Sequence, residues 1–186
     1  MGVRVGTGPE GELGGMLDEF VKTVVGFAQT HQGLLLPMIF VIAFLECLAF
    51  VSILAPATVL FTALGTVAGA AGIGLLPLAL TATVGSVLGY WVSYWIGLWL
   101  GPAVLQRWPL NRQPVLVEKT HNFFERWGAP GILLSHFWGQ IRPLAPLVAG
   151  IVRMSPVPFH IANLLGSLGW SFGVFYASGT VGGWLH

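Results

Sequence analysis

Two charged side chains lie in stretches that are otherwise almost wholly apolar. Glu46 stands between Leu45 and Cys47 in the run from Gly33 to Leu76, and Arg142 precedes Pro143 in the run from Ala129 to Met154. A charge at the centre of a bilayer costs about 3 kcal/mol or more, so it marks a substrate path or a buried partner. Arginine keeps its charge when buried, and its planar fork of donors fits phosphate or carboxylate. Glutamate adds a group that can bind a proton. Together they suit the handling of an anion, or they form a buried pair that only fixes how two segments dock. Gln140 would add hydrogen bonds beside Arg142. His136, six residues before Arg142, is either a satisfied core residue or a proton relay, because histidine changes charge near neutral pH. Thr58 and Ser52, near Pro56, are expected to bond to backbone, and Arg153 to anchor at the membrane interface.

Other chemistries find no support. The chain has no G-x-S-x-G, H-E-x-x-H or phosphate-binding P-loop pattern. His31, His121, His160 and His186 are scattered without ligand spacing. The single Cys47 excludes an intramolecular disulfide and a cysteine metal cluster, and reads as a small core residue. No enzyme activity, cofactor or metal is expected.

Composition places these residues in a membrane. Charged residues make up 8% of the 186 and hydrophobic ones 55%, where soluble domains carry about 25% charge. A soluble fold would leave large apolar areas facing water. The net charge of +1 and the lack of a basic stripe argue against nucleic acid. After Arg4 come Glu10, Glu12, Asp18 and Glu19, which is not the pattern of a cleavable signal peptide, so the first apolar segment is expected to be retained.

The elements that must position Glu46 and Arg142 can be read along the chain. Residues 1–14 are Gly-rich and read as a disordered tail, followed by a single membrane domain over 15–186. Met16 to Ala28 has the 3.6-residue period of an amphipathic surface helix. Gly33 to Leu76 is long enough to cross twice, but only Ala55-Pro56-Ala57-Thr58 divides it, so it reads as a hairpin that dips into the membrane and returns. Pro77 to about Leu100 is a first transmembrane helix. The polar connection from Gly101 to Gly128 contains a second amphipathic helix, with Leu116, Phe123, Phe124 and Trp127 on one face. In the run from Ala129 to Met154, Pro143, Pro146 and Gly150 read as breaks in a second hairpin. Pro158 to Trp184 is the last transmembrane helix. Tyr90, Trp91, Tyr94, Trp95 and Trp99 read mainly as lipid-facing or interfacial aromatics.

The chain repeats itself. Val67-Ala68-Gly69, Pro77 and Gly85-Ser86 recur as Val148-Ala149-Gly150, Pro158 and Gly166-Ser167, each 81 residues later (148−67, 158−77, 166−85). Two half-repeats follow, about 15–101 and 115–186 around a linker at 102–114. Upstream the register loosens: Gly33 to Val67 spans 34 residues but Gly128 to Val148 only 20. Each half holds an amphipathic helix, a returning hairpin and one crossing, so the halves should be inverted, an architecture that puts a transporter's site at the repeat interface.

From about Leu34 to Gly182 the chain resembles the DedA family of bacterial membrane proteins, also described as the SNARE-associated or VTT domain. The resemblance rests on Arg142-Pro-Leu-Ala-Pro-Leu-Val-Ala-Gly150-Ile-Val-Arg153-Met, on Gly85-Ser-Val-Leu-Gly89 with Ser93-Tyr-Trp-Ile-Gly97 and Gly101, and on Phe44-Leu-Glu46 followed by Pro56. It implies two opposed re-entrant hairpins in the cell (inner) membrane and lipid translocation linked to the proton gradient. Bacterial members are associated with undecaprenyl phosphate and eukaryotic relatives with phospholipid scrambling. Glu46 and Arg142 match the family's first acid and second arginine. The second acid falls on Thr58 and the first arginine on His136. The usual Pro-Gly before the second arginine is Gly139-Gln140, and a further acid and arginine of the Gly-rich helix are Tyr90 and Leu98.

The expectation is a multi-pass, all-α lipid transporter of the flippase or scramblase kind. Its partners would be membrane lipids, an anionic headgroup and possible coupling protons, with a path along Glu46, Arg142, Gln140, His136 and Thr58. A membrane scaffold that does not transport, or a proton-coupled carrier of small ions, are the competing expectations.

Overall fold

A computed structural model describes residues 9–48, 57–106, 111, 114–138 and 141–182. Every regular element among them is helical: α1 (Pro9–Thr30), α2 (Leu35–Glu46), α3 (Ala57–Ala70), α4 (Leu75–Leu100), α5 (Pro114–Ser135), α6 (Ala145–Ile151) and α7 (Pro156–Gly182). Short 3-10 turns at Gln32–Leu34 and Gly101–Gln106 join some of them. Helix α1 is described from Pro9 to Thr30, so residues 9–14, expected to belong to a tail, are helical instead.

Helix α4 is the centre of the fold and packs against α2, α6 and α7. It belongs to an apolar segment, Leu75–Ala103, long enough and apolar enough to cross a membrane; its 26 residues give about 39 Å at 1.5 Å per residue, against a hydrocarbon core of about 30 Å. Leu76, Leu80, Val84, Leu88, Trp91 and Trp99 lie exposed on its outer side. Gly85, Ser86, Gly89, Ser93 and Gly97 are buried on the inner side. Helix α7 is as long, with 27 residues, but its polarity is hidden: Asn163, Ser167, Ser171 and Ser178 are buried while Val157, Ile161, Leu164 and Leu165 face outward. Polar groups turned inward and apolar ones outward suit a lipid surround. The C-terminal part of α1 and α2 meet at a bend of 111°.

Glycines set the distances between these helices. A Cβ at Gly85 would stand 2.6 Å from the Phe40 carbonyl oxygen, and one at Gly89 2.5 Å from that of Phe44, both on α2. Helices α4 and α6 come closer still, with Gly97 against the Leu147 carbonyl and Gly150 against the Tyr94 carbonyl. Small residues let backbones approach in this way where lipid offers no hydrophobic drive. Gly150, expected as a break, therefore lies inside α6 as a contact point. Pro146 likewise begins α6 rather than interrupting a helix, as its missing N–H allows in a first turn. Tyr90 and Tyr94 are buried rather than lipid-facing, whereas Trp91 and Trp99 are exposed as expected.

The same turn leads into both long helices. After α3 the Ile73 N–H donates to the Ala68 carbonyl at 2.9 Å, and after α6 the Met154 N–H donates to the Ala149 carbonyl at 3.0 Å. This six-to-one bond closes a helix whose next residue is left-handed. That residue is Gly72 (φ 78°) in the first turn and Arg153 (φ 53°) in the second, 81 positions apart (153−72). A side chain in this conformation costs about 1–2 kcal/mol. Glycine's greater freedom in the unfolded chain offsets part of that gain. Arg153→Gly should therefore raise stability by about 0.5–1 kcal/mol and the melting temperature by about 1–4 °C. Gly72→Arg should lower both. Thermal unfolding in detergent reads the two variants side by side.

Candidate functional site

Arg142 and Glu46 meet between α2, α4 and α7. Arg142 Nη1 lies 3.1 Å from Glu46 Oε2, with the two side chains 4% and 9% exposed. Glu46 ends α2, and that end is fixed by Ser93 of α4, whose hydroxyl donates to the Cys47 carbonyl at 2.9 Å. Arg142 follows the turn after α5, and every residue from Ile141 to Gly150 is buried. Its guanidinium carbon sits 3.5 Å from the centre of the Trp170 ring of α7, a stacking geometry that favours a cation. Nη2 reaches Ser86 Oγ at 3.5 Å and Cys47 Sγ at 3.7 Å, both weak contacts. Among the described residues Nε finds no acceptor, and the contact at Glu46 Oε2 lacks hydrogen-bond alignment. Charge, stacking and packing hold this arginine, and among those residues one of its donors is without a partner.

His136 forms a second polar centre. Its ring stacks on Tyr90 with centroids 4.2 Å apart and 22° between planes, over Gly166, where a Cβ would stand 2.5 Å from Nδ1. Nδ1 lies 2.9 Å from the Ile132 carbonyl and Nε2 3.0 Å from Ser167 Oγ. Ser167 donates to Asn163 Oδ1 at 3.2 Å, and Asn163 Nδ2 donates to the Val87 carbonyl at 3.2 Å. The Tyr90 hydroxyl lies 3.4 Å from Ser135 Oγ.

The structure thus brings Glu46 and Arg142 together, and sets His136 in a hydrogen-bonded chain of its own. Gln140 and Pro56 lie outside the described residues, as does Ser52. Thr58 falls in the first turn of α3, with its side chain likewise outside them. Pro143 is buried in the turn that carries Arg142, and Cys47 is fully buried. Arg153 is exposed. Trp170, Tyr90 and Asn163 were not anticipated in the site. Ser86 and Ser167 had a signal in the sequence: they are equivalent residues of the repeat, and each touches one of the two buried bases.

Residues 55–179 match the family model described as the VTT domain. The chain belongs to the DedA family of VTT-domain proteins. Among DedA-family relatives, the inner membrane protein YabI of Escherichia coli K12 is 34% identical over 130 residues, covering 69% of this chain and 51% of YabI. The inner membrane protein YqjA of the same strain is 30% identical over 139 residues, covering 74% and 63%. The protein DedA itself is 39% identical over 61 residues, 33% of this chain and 28% of DedA. An uncharacterized membrane protein of Buchnera aphidicola is 32% identical over 133 residues, covering 72% of this chain and 52% of that protein. The chain spans about half the length of the first of these curated relatives. No solved structure matches it. Family membership, the membrane names of the relatives and the apolar outer surface of α4 and α7 make this a helical membrane protein.

Proposed function

We propose that this DedA-family protein moves an anionic lipid headgroup, such as undecaprenyl phosphate or another anionic phospholipid, across the inner membrane. One observation carries the reading: a buried arginine, whose Nε has no acceptor and which faces one carboxylate among the described residues, lies where helices from both halves of the sequence meet. A phosphate would use the guanidinium fork more completely than Glu46 does. Protonation of Glu46 would free Arg142 for the incoming anion, linking headgroup entry to proton uptake. The recurring turn and the equal helices α4 and α7 support two half-repeats of inverted sense, each with a re-entrant hairpin, in a multi-pass topology.

The test is a flip assay in liposomes with fluorescent phospholipids and a labelled polyprenyl phosphate. Wild-type protein should accelerate transfer of the anionic lipids, and Arg142→Ala should reduce the rate at least about tenfold, equivalent to 1.4 kcal/mol or more. Arg142→Lys should fall between, since lysine keeps the charge without the bidentate fork. The tight Glu46–Arg142 contact also suits a scaffold that does not transport. That reading gains if no lipid is moved while Arg142→Ala is lost from the membrane.

A further inference from the structure

The chain of bonds through His136 is one proton short when the ring is neutral. Both ends of the chain are carbonyl oxygens, at Ile132 and Val87, and a carbonyl can only accept. The Ile132 carbonyl also accepts from the Ser135 hydroxyl at 2.7 Å, so its contact with Nδ1 at 2.9 Å is a bond only when Nδ1 carries a proton, and Asn163 must turn its Nδ2 to Val87 and its Oδ1 to Ser167. Ser167 has a single proton, which is needed both by Asn163 Oδ1 at 3.2 Å and by a neutral Nε2 at 3.0 Å. One of the two contacts then fails, and a buried acceptor goes unsatisfied. With a proton on each ring nitrogen, every bond runs in one direction, from His136 through Ser167 and Asn163 to Val87. The Tyr90 ring, stacked at 4.2 Å, offers its π face to the resulting cation.

From this geometry we infer that His136, Ser167 and Asn163 form a binding site for one proton, separate from the Glu46–Arg142 pair. Binding makes no new bond between heavy atoms; the proton adds to Nε2 and the Ser167 and Asn163 dipoles align behind it. The neighbouring groups act in both directions. Arg142, from the turn after α5, opposes a second cation, while Glu46 of α2 offsets Arg142. Cys47 of α2, Tyr90 of α4 and Ser135 of α5 are neutral when protonated, and α6 presents no titratable side chain. The site does not depend on the nature of the cargo, so it stands or falls apart from the lipid-carrier reading.

The experiment is ¹⁵N-histidine NMR of the full chain in phosphatidylcholine nanodiscs, from about pH 2 to about pH 9. His136→Gln identifies the signal. Wild-type His136 should titrate within the range, and Ser167→Ala should move its midpoint down by about one pH unit, a tenfold loss of proton affinity. Ser167→Thr keeps the hydroxyl and should restore the midpoint. Asn163→Ser, which shortens the chain without removing Ser167, provides the second downward shift should Ser167→Ala fail to fold. A ring that stays neutral throughout, or one midpoint shared by wild type and both shortened chains, would overturn the inference.

Discussion

Glu46→Ala is expected to destabilise the protein by about 3–5 kcal/mol, enough to abolish its monodisperse fraction after detergent extraction. The cause is not a lost attraction alone. Arg142 would remain buried, stacked on Trp170, with only the long contacts to Ser86 and Cys47 left among the described residues. An isolated charge in that setting has nowhere to go, since Ile141 to Gly150 are all buried around it. Adding Arg142→Met should recover most of the loss, because removing both members of a buried pair is often close to neutral. The double variant should assemble in the membrane and still fail to move lipid. A double-mutant cycle on unfolding gives the coupling directly. Single losses that simply add would show that the pair contributes nothing as a pair.

Gly97→Leu should be at least as damaging, for a purely steric reason. The Gly97 Cα lies against the Leu147 carbonyl, and Gly150 answers it against the Tyr94 carbonyl, so backbone meets backbone and no flexible side chain can yield. Inserting side-chain atoms into a well-packed site costs about 1–3 kcal/mol where neighbours can shift, and more where they cannot. The variant is expected to separate α6 from α4 and to lose the extractable folded fraction. Gly173→Ala is the matched control, since no atom lies within 4 Å of its added Cβ. It should be neutral or slightly stabilising. Equal melting temperatures for Gly97→Leu and wild type would mean that the two helices are not so closely apposed.

Much of this arrangement was legible because a few physical signals are strong. The span expected over Pro77 to Leu100 is observed as Leu75–Leu100, because a long apolar run without charge has few other uses. The pairing of Glu46 with Arg142 followed from the expense of leaving either alone. The faces of α4 were harder. A helix that is apolar all round has no amphipathic phase, so Tyr90 and Tyr94 were read with the outward tryptophans. The small residues Gly85, Ser86, Gly89, Ser93 and Gly97 did carry the phase, three or four residues apart, and put Tyr90 and Tyr94 on the buried side. Pro146 misled because proline ends and begins helices alike. The hydrogen-bonded chain at His136 was readable only at Ser167, through its repeat register with Ser86; Asn163 becomes meaningful only when α7 is laid beside α5.

His136 also stands at a departure from the family pattern. The resemblance puts an arginine at this position and acids at positions 58 and 90, and here the histidine stacks directly on Tyr90.

The turn shared by Gly72 and Arg153 bears on how the lengths of these segments can change over generations. From Val67 to Gly85 and from Val148 to Gly166 the spacing is identical, while the segments upstream differ by 14 residues (34−20). Inserting one residue into α4 turns everything beyond it by about 100°. Gly97 would then swing away from the Leu147 carbonyl, and a bulkier neighbour would take its place against α6. Drift in length is thus expected in the segments upstream of each turn and in the linker. Gene histories of this domain should record insertions there, and almost none between the left-handed turn and the last glycine of the crossing helix.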